Sequence, residues 1–244
     1  MSNTLAYLKQ FRLAGIVKTL ELRLSEAASN NLSHREFLDI LLEDEKTNRE
    51  DNKRKKLFTR AKVPVQKHLS EFDFSFQPSI KKGEILNLAT CTFIPKGENV
   101  VFVGQPGTGK THLAIALGLV ALGYGYTVLF TTAHDMITAL QASRADHTYK
   151  KKIDYYTNPD LLILDELGYK TLAATTVEDF FEIVSKRYEK KSTIITSNKE
   201  FPAWDTIFFD KTLTTAIIDR IIHHCHTVVI KGESYRFQNR RTDG

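Results

Sequence analysis

The sequence predicts an α/β fold, a parallel sheet with helices on both faces, preceded by a small all-helical region. Three observations carry this expectation. Short β-branched or aliphatic runs at 99–103, 127–131, 161–164, 192–196 and 226–230 alternate with helical stretches, the pattern of a parallel, doubly covered sheet. A glycine-rich pattern follows the first run directly. The segment from about 3 to 60 shows helical spacing only, which sets a boundary near residue 70 between a helical region (1–70) and an α/β domain (71–244).

In the first region Leu5, Leu8 and Phe11, then Leu13, Val17, Leu20 and Leu24, recur at helical intervals. Ser33-His34-Arg35-Glu36 has the form of a capping box opening a second helix through Phe37, Leu38, Leu41 and Leu42. That helix runs into a basic stretch and ends at Pro64. The segment 72–78, carrying Phe72, Phe74 and Phe76, reads as an extended bridge into the α/β domain. Its aromatics suit core packing, or stacking on a base.

Residues 104–111 read Gly104-Gln105-Pro106-Gly107-Thr108-Gly109-Lys110-Thr111 and match GxxxxGK[ST] at every fixed position. Between a strand and a helix, this pattern is a phosphate-binding loop. Glycines let backbone N–H groups surround a polyphosphate, Lys110 reaches the β and γ oxygens, and the Thr111 hydroxyl can ligand Mg²⁺. The helix expected from Lys110 through His112 and Leu113 points the positive end of its dipole at the phosphates.

The apolar run 161–164 ends in Asp165-Glu166. A fully apolar strand ending in two acids, beside a phosphate loop, is a Walker B pattern. Asp165 would hold Mg²⁺ and Glu166 would polarise the attacking water, which favours hydrolysis over nucleotide holding. The strand at 192–196 leads to Ser197-Asn198. Asn198 reads as a sensor reaching the γ-phosphate or the lytic water, or else as a turn residue. Position 201 is Phe201, without the aspartate of a guanine-reading NKxD motif, so guanine specificity is unsupported.

Arg220, on a short helix before the last strand, suggests a finger inserted into a neighbouring subunit's nucleotide, or an ion-pair partner on the surface. Arg236 is a second phosphate-sensing candidate. His223, His224, Cys225 and His226 resemble metal ligands, but consecutive residues at a helix-to-strand junction cannot all converge on one ion, so a structural cluster is expected.

Composition fits this organisation. The chain has 244 residues, 42% of them hydrophobic, enough for one α/β domain and a smaller appendage. Two cysteines, Cys91 and Cys225, speak against a disulfide framework, and no charged-then-apolar leader opens the chain, so a cytoplasmic protein is expected. The longest apolar stretch, 113–123, is too short for a membrane span of roughly 18 residues. Net charge is +5, but residues 46–67 hold nine Lys/Arg against Glu50 and Asp51, which places +7 there and −2 elsewhere. A polyanion partner, nucleic acid first, or a solvated helix face accounts for Lys53, Arg54, Lys55 and Lys56. Arg144 and the triplet Lys150, Lys151 and Lys152 form a second basic candidate for a DNA backbone, or simple solubilising charge.

With these pieces placed, the chain resembles the IstB-like ATP-binding proteins, the transposition helpers encoded beside a transposase in bacterial insertion sequences. The resemblance rests on 104–111 followed by His112-Leu113-Ala114-Ile115-Ala116-Leu117-Gly118, on Leu164-Asp165-Glu166-Leu167-Gly168-Tyr169, on Phe72-Asp73-Phe74, and on Ile218-Asp219-Arg220 with Gly232-Glu233-Ser234-Tyr235-Arg236. It implies an AAA+ ATPase using ATP and Mg²⁺ that forms homo-oligomers on duplex DNA and recruits and stimulates an IstA-like transposase, with no membrane partner. Lys110, Thr111, Asp165, Glu166, Asn198 and Arg220 match the family's roles. Only 24 residues follow Arg220, too few for the usual AAA+ helical lid. A DnaC-like replicative helicase loader is the alternative with the same ATPase core. A DNA-coating scaffold with structural nucleotide is a third reading, against which Glu166 argues.

Overall fold

The computed structural model describes residues 3–169, 174–208 and 210–235. The chain divides into two compact units, Met1–Lys56 and Leu57–Gly244.

The first unit holds α1 (Asn3–Gln10), α2 (Ala14–Asn30) and most of α3 (His34–Ala61). Its small core is Ile16, Leu20 and Leu41, with Leu5, Leu8, Leu13 and Phe37 packed around it. The capping box forms: the Ser33 amide donates to the Glu36 carboxylate at 2.8 Å, and the Glu36 amide to the Ser33 hydroxyl at 3.3 Å. A second device was not evident in the sequence. The buried Glu45 carboxylate on α3 accepts from the Gly15 amide at 2.6 Å and the Ile16 amide at 3.3 Å, which satisfies the open first turn of α2. Burial alone would raise the Glu45 pKa, but hydrogen bonds from Arg49, Gly15 and Ile16 outweigh it and the pKa is lowered.

Leu57 and Ala61, at the end of α3, belong to the core of the second unit, as do the partly buried Val63 and Leu69. Residues 57–70, grouped with the helical region by sequence, therefore pack with the α/β unit. The helix stops at Ala61 because Lys62 turns left-handed (φ 53°), two residues before Pro64. The segment 72–78 is not extended. After a short 3₁₀ turn at Leu69–Glu71, Asp73 Oδ1 accepts from the amides of Ser75 (2.9 Å) and Phe76 (3.2 Å) and folds the chain into a turn. A short polar side chain that can bond its own backbone overrides the alternating pattern.

Five parallel strands follow: β1 (Asn99–Gly104), β2 (Val128–Thr132), β3 (Leu161–Leu167), β4 (Ser192–Ser197) and β5 (Cys225–Ile230), in the order β2-β3-β4-β1-β5. Between and before them lie α4 (Lys82–Leu88), α5 (Lys110–Gly123), α6 (Ala133–Ala145), α7 (Tyr149–Thr157), α8 (Ala174–Arg187), α9 (Asp205–Phe208) and α10 (Lys211–Ile222). The sheet separates two cores. Val100, Phe102, Leu161 and Ile163 face the layer that includes α4 and α5, whereas Val101, Val103, Leu162 and Leu164 face the layer of α6, α7, α8 and α10. Burial on both faces is why these strands read as unbroken apolar runs. Parallel strands bring all five carboxyl ends to one edge, where α/β sheets hold ligands. Among the described residues no helix is long and apolar enough to cross a membrane.

Candidate functional site

β1 delivers the chain to the phosphate loop and α5 leaves from it. Gly107 (φ 81°) and Gly109 (φ 97°) take left-handed conformations that favour glycine. Neither has room for a side chain. A Cβ on Gly107 would lie 2.0 Å from Ser234 Oγ, and one on Gly109 2.5 Å from the Phe72 ring. The buried Lys110 ammonium donates to the Gln105 carbonyl at 2.9 Å, and the Thr108 hydroxyl donates to the same oxygen at 2.8 Å.

At the end of β3 the register slips between Leu164 and Leu167, and Glu166 adopts φ 62°. This bulge sends the two acids to different places: Asp165 is buried and Glu166 is exposed. Asp165 Oδ1 accepts from Thr111 Oγ1 at 2.9 Å and from Thr196 Oγ1 on β4. Thr196 Oγ1 in turn accepts from the Glu166 amide at 3.0 Å. One hydroxyl thus ties together the cation ligand and the residue expected to polarise water. Nothing in the sequence marked it, because a threonine in a buried strand is an ordinary β-former.

A cavity of about 730 Å³ covers the loop. Its walls include Gly107 to His112, Glu166 and Thr196 at one end, and Pro64, Val65, Gln66, Lys67, Phe72, Phe76 and Tyr235 elsewhere. The volume lies within the range of ligand pockets. His112 lines it with its Nε2 2.9 Å from the His68 carbonyl and its ring edge-on to Phe72 at 5.3 Å. The aromatic trio divides between the core and the cavity. Phe74 packs against the core, Phe72 touches both core and cavity, and Phe76 faces the cavity beside Tyr235, ring centroids 5.2 Å apart.

The segment after β5 closes on the loop from the other side. The Tyr235 amide donates to the Gly107 carbonyl at 3.1 Å, and Gln77 Nε2 to the Glu233 carbonyl at 3.0 Å. Ser234 also lies against Gly107 of the phosphate loop, and Gly232 against the Gln77 side chain. Arg236 lies outside the described residues.

Other expected residues stand further off. Asn198 does not line the cavity; its Oδ1 is buried without a hydrogen-bond partner, against Gly168 in the turn after Glu166. Arg220 also stays outside it. Its guanidinium donates to the Ala216 carbonyl at 2.9 Å and stacks over Phe181 at 4.8 Å. A residue acting on a neighbour's nucleotide is expected to miss its own. Of the basic candidates, Arg144 is paired with the buried Asp179 and stacked on Tyr149 at 4.2 Å, a structural use of its charge. Lys152 packs over Tyr155 at 5.5 Å, while Lys150 and Lys151 are exposed, as are Lys53, Arg54, Lys55 and Lys56.

The donor set fits a magnesium nucleotide. Two left-handed glycines and the amino end of α5 form an anion cradle. A hydroxyl and a carboxylate 2.9 Å apart offer the oxygen ligands a hard cation takes. A second carboxylate, that of Glu166, is exposed at the cavity.

The family model for IstB-like ATP binding protein matches residues 6–243. The ATP-binding protein of insertion sequence IS5376 from Geobacillus stearothermophilus is 40% identical over 88% of this chain and 86% of its own length. That of insertion sequence IS21 from Pseudomonas aeruginosa is 40% identical over 98% of this chain and 89% of its own. Among solved structures, the DnaC helicase loader superposes with a TM-score of 0.53 at 28% identity, covering 60% of this chain and 86% of that one. With the phosphate loop, the paired acids and the five-stranded parallel sheet in place, the chain belongs to the IstB-like ATP-binding family and is an AAA+ ATPase.

Proposed function

We propose that this ATPase serves transposition: with ATP and Mg²⁺ it assembles as a homo-oligomer on duplex DNA, then recruits and stimulates a transposase. The observation that carries the reading is similarity along nearly the whole chain, helical unit included, to ATP-binding proteins named for insertion sequences. The exposed basic turns of α3 support a DNA contact. Phe11, Leu24, Leu38 and Leu42, exposed apolar residues of the helical unit, support a protein partner there.

The chemistry follows from the cavity. Lys110 exchanges the Gln105 carbonyl for the β and γ oxygens of ATP. Thr111 and Asp165 would hold the cation, which would neutralise charge developing on those oxygens. Glu166 takes the proton of the attacking water, held in place through its amide by Thr196. The adenine lies toward Pro64–Lys67, Phe72 and Phe76. Arg220 completes a neighbouring subunit's site, and Asn198, with its buried Oδ1 lacking a hydrogen-bond partner, is the candidate sensor of the γ-phosphate.

A helicase loader is the competing reading, favoured by the match to the DnaC structure. Pull-down by the full chain, with ATP, against a purified insertion-sequence transposase and a replicative helicase separates them. Retention of the transposase alone is expected; retention of the helicase alone would replace this reading. Replacing Lys150 and Lys151 by alanine should lower the slope of log affinity for duplex DNA against log salt by roughly 0.9 per lost phosphate contact. An unchanged slope would move the contact elsewhere, with α3 the next place to test.

A further inference from the structure

We propose that Glu189, His223 and His224 form a binding site for a divalent transition ion, with zinc the best match. The sequence ruled out convergence of all four residues 223–226, and the structure agrees: His226 pairs with Glu98 at 2.8 Å, and Cys225 lies beside Thr227. His223 and His224 do converge, on a carboxylate from another part of the chain. His223 Nδ1 is 3.6 Å and His224 Nε2 3.5 Å from the same oxygen, Glu189 Oε1. The three ligand atoms all lie within 4.8 Å of one another. On a tetrahedral ion with bonds of about 2.0–2.1 Å, neighbouring ligand atoms stand about 3.3 Å apart. Two of the three separations are already close to that value.

The backbone holds each ligand in place. Glu189 ends the turn after α8 in a left-handed conformation (φ 56°), with Gly97 so close that a Cβ there would lie 2.9 Å from the Glu189 carbonyl carbon. The His223 amide caps α10 on the Asp219 carbonyl, and the His224 carbonyl accepts from the Asn99 amide at 2.7 Å. Tyr188 OH shares a hydrogen bond with His223 Nδ1 at 2.7 Å, a bond the ion would replace. About half of each side chain is exposed (52%, 51% and 49% for Glu189, His223 and His224), so an ion can enter and water can complete the shell. Two imidazoles and one carboxylate with an open position suit zinc, and then cobalt, nickel or copper, rather than magnesium or calcium. The site lies at the amino ends of the strands, opposite the nucleotide cavity. An ion there would fasten the end of α10, three residues past Arg220, to the turn between α8 and β4.

The test is calorimetric titration of zinc chloride into the tag-free, chelator-stripped full chain without nucleotide, repeated with cobalt to read the visible bands of a tetrahedral site. One equivalent should bind to the wild type and to Asp165→Asn, which alters the nucleotide-site cation ligand. Affinity should fall in the His223→Ala/His224→Ala double variant by more than the roughly 10–100-fold typical of outer-shell changes. The same loss is expected in Glu189→Gln, which keeps the side chain's size; retained ATP turnover in both shows that they fold. Zinc at 100 times its dissociation constant should raise the wild-type Tm by about 5–10 °C. Absence of saturable zinc binding, unchanged affinity in the double variant, or a loss confined to Asp165→Asn would each overturn the proposal.

Discussion

Single hydroxyls and carboxylates decide what the nucleotide cavity can do. Lys110→Ala removes the only lysine of the phosphate loop and should abolish ATP binding in a fluorescent-nucleotide titration. Glu166→Gln keeps the side chain's size and leaves Thr111 and Asp165 in place, but cannot take a proton. It should bind ATP and lose turnover by a factor on the order of 10²–10⁴; turnover near the wild-type rate would remove Glu166 from its role. Thr196→Val separates position from chemistry. It keeps the shape while deleting the hydroxyl between Asp165 and the Glu166 amide. Its kcat should fall roughly 10–100-fold, as outer-shell changes do, with ATP affinity little changed. The loop and the acids were legible because each motif is local, whereas Thr196 is functional only through two partners about 30 residues away.

At the scale of elements, the packing of α2 on α3 is set by one glycine and one buried acid. A Cβ on Gly15 would lie 2.6 Å from Glu45 Cα and 2.7 Å from the Asp44 carbonyl oxygen, so backbone must move to admit it. Gly15→Ala should cost about 1–3 kcal/mol of stability, read by urea unfolding. Nearby, the side-chain hydrogen bond from Arg23, with a further one from Thr19, pulls the Asp44 pKa down to about 2. A carboxylate depressed in the folded state stabilises above its unfolded value near 3.9 and stops doing so as pH falls through its folded value. The stability that Asp44 supplies to α2 and α3 should therefore be lost between about pH 4 and pH 2, read by urea unfolding across that range, and Arg23→Ala should largely remove this dependence. Strand positions were readable from apolar runs, and Ser33 and Glu36 announced their helix. The bulge at Asp165-Glu166 and the turn at Asp73 were not, since each depends on hydrogen bonds that local patterning does not reveal.

At the scale of the whole molecule, the cavity joins segments far apart in the chain: residues 64–77, the phosphate loop, the ends of β3 and β4, and residues 232–235. Arg220 lies outside its own cavity, on α10 over Phe181. If it acts across an interface, mixing Arg220→Ala with Lys110→Ala chains should restore part of the ATPase rate, because one interface then pairs an intact loop with an intact arginine. No recovery at any ratio would make Arg220 a residue of the α8–α10 packing. By itself the sequence determined that the chain is an ATPase, the parallel sheet and the family, because glycine spacing, apolar runs and paired acids act over a few residues. Only the tertiary structure decided that Glu166 turns away from Asp165, that Arg144 is used within the fold, and that Ser234 and Tyr235 rest on the phosphate loop. Those placements arise from contacts between distant segments, which no short pattern can encode.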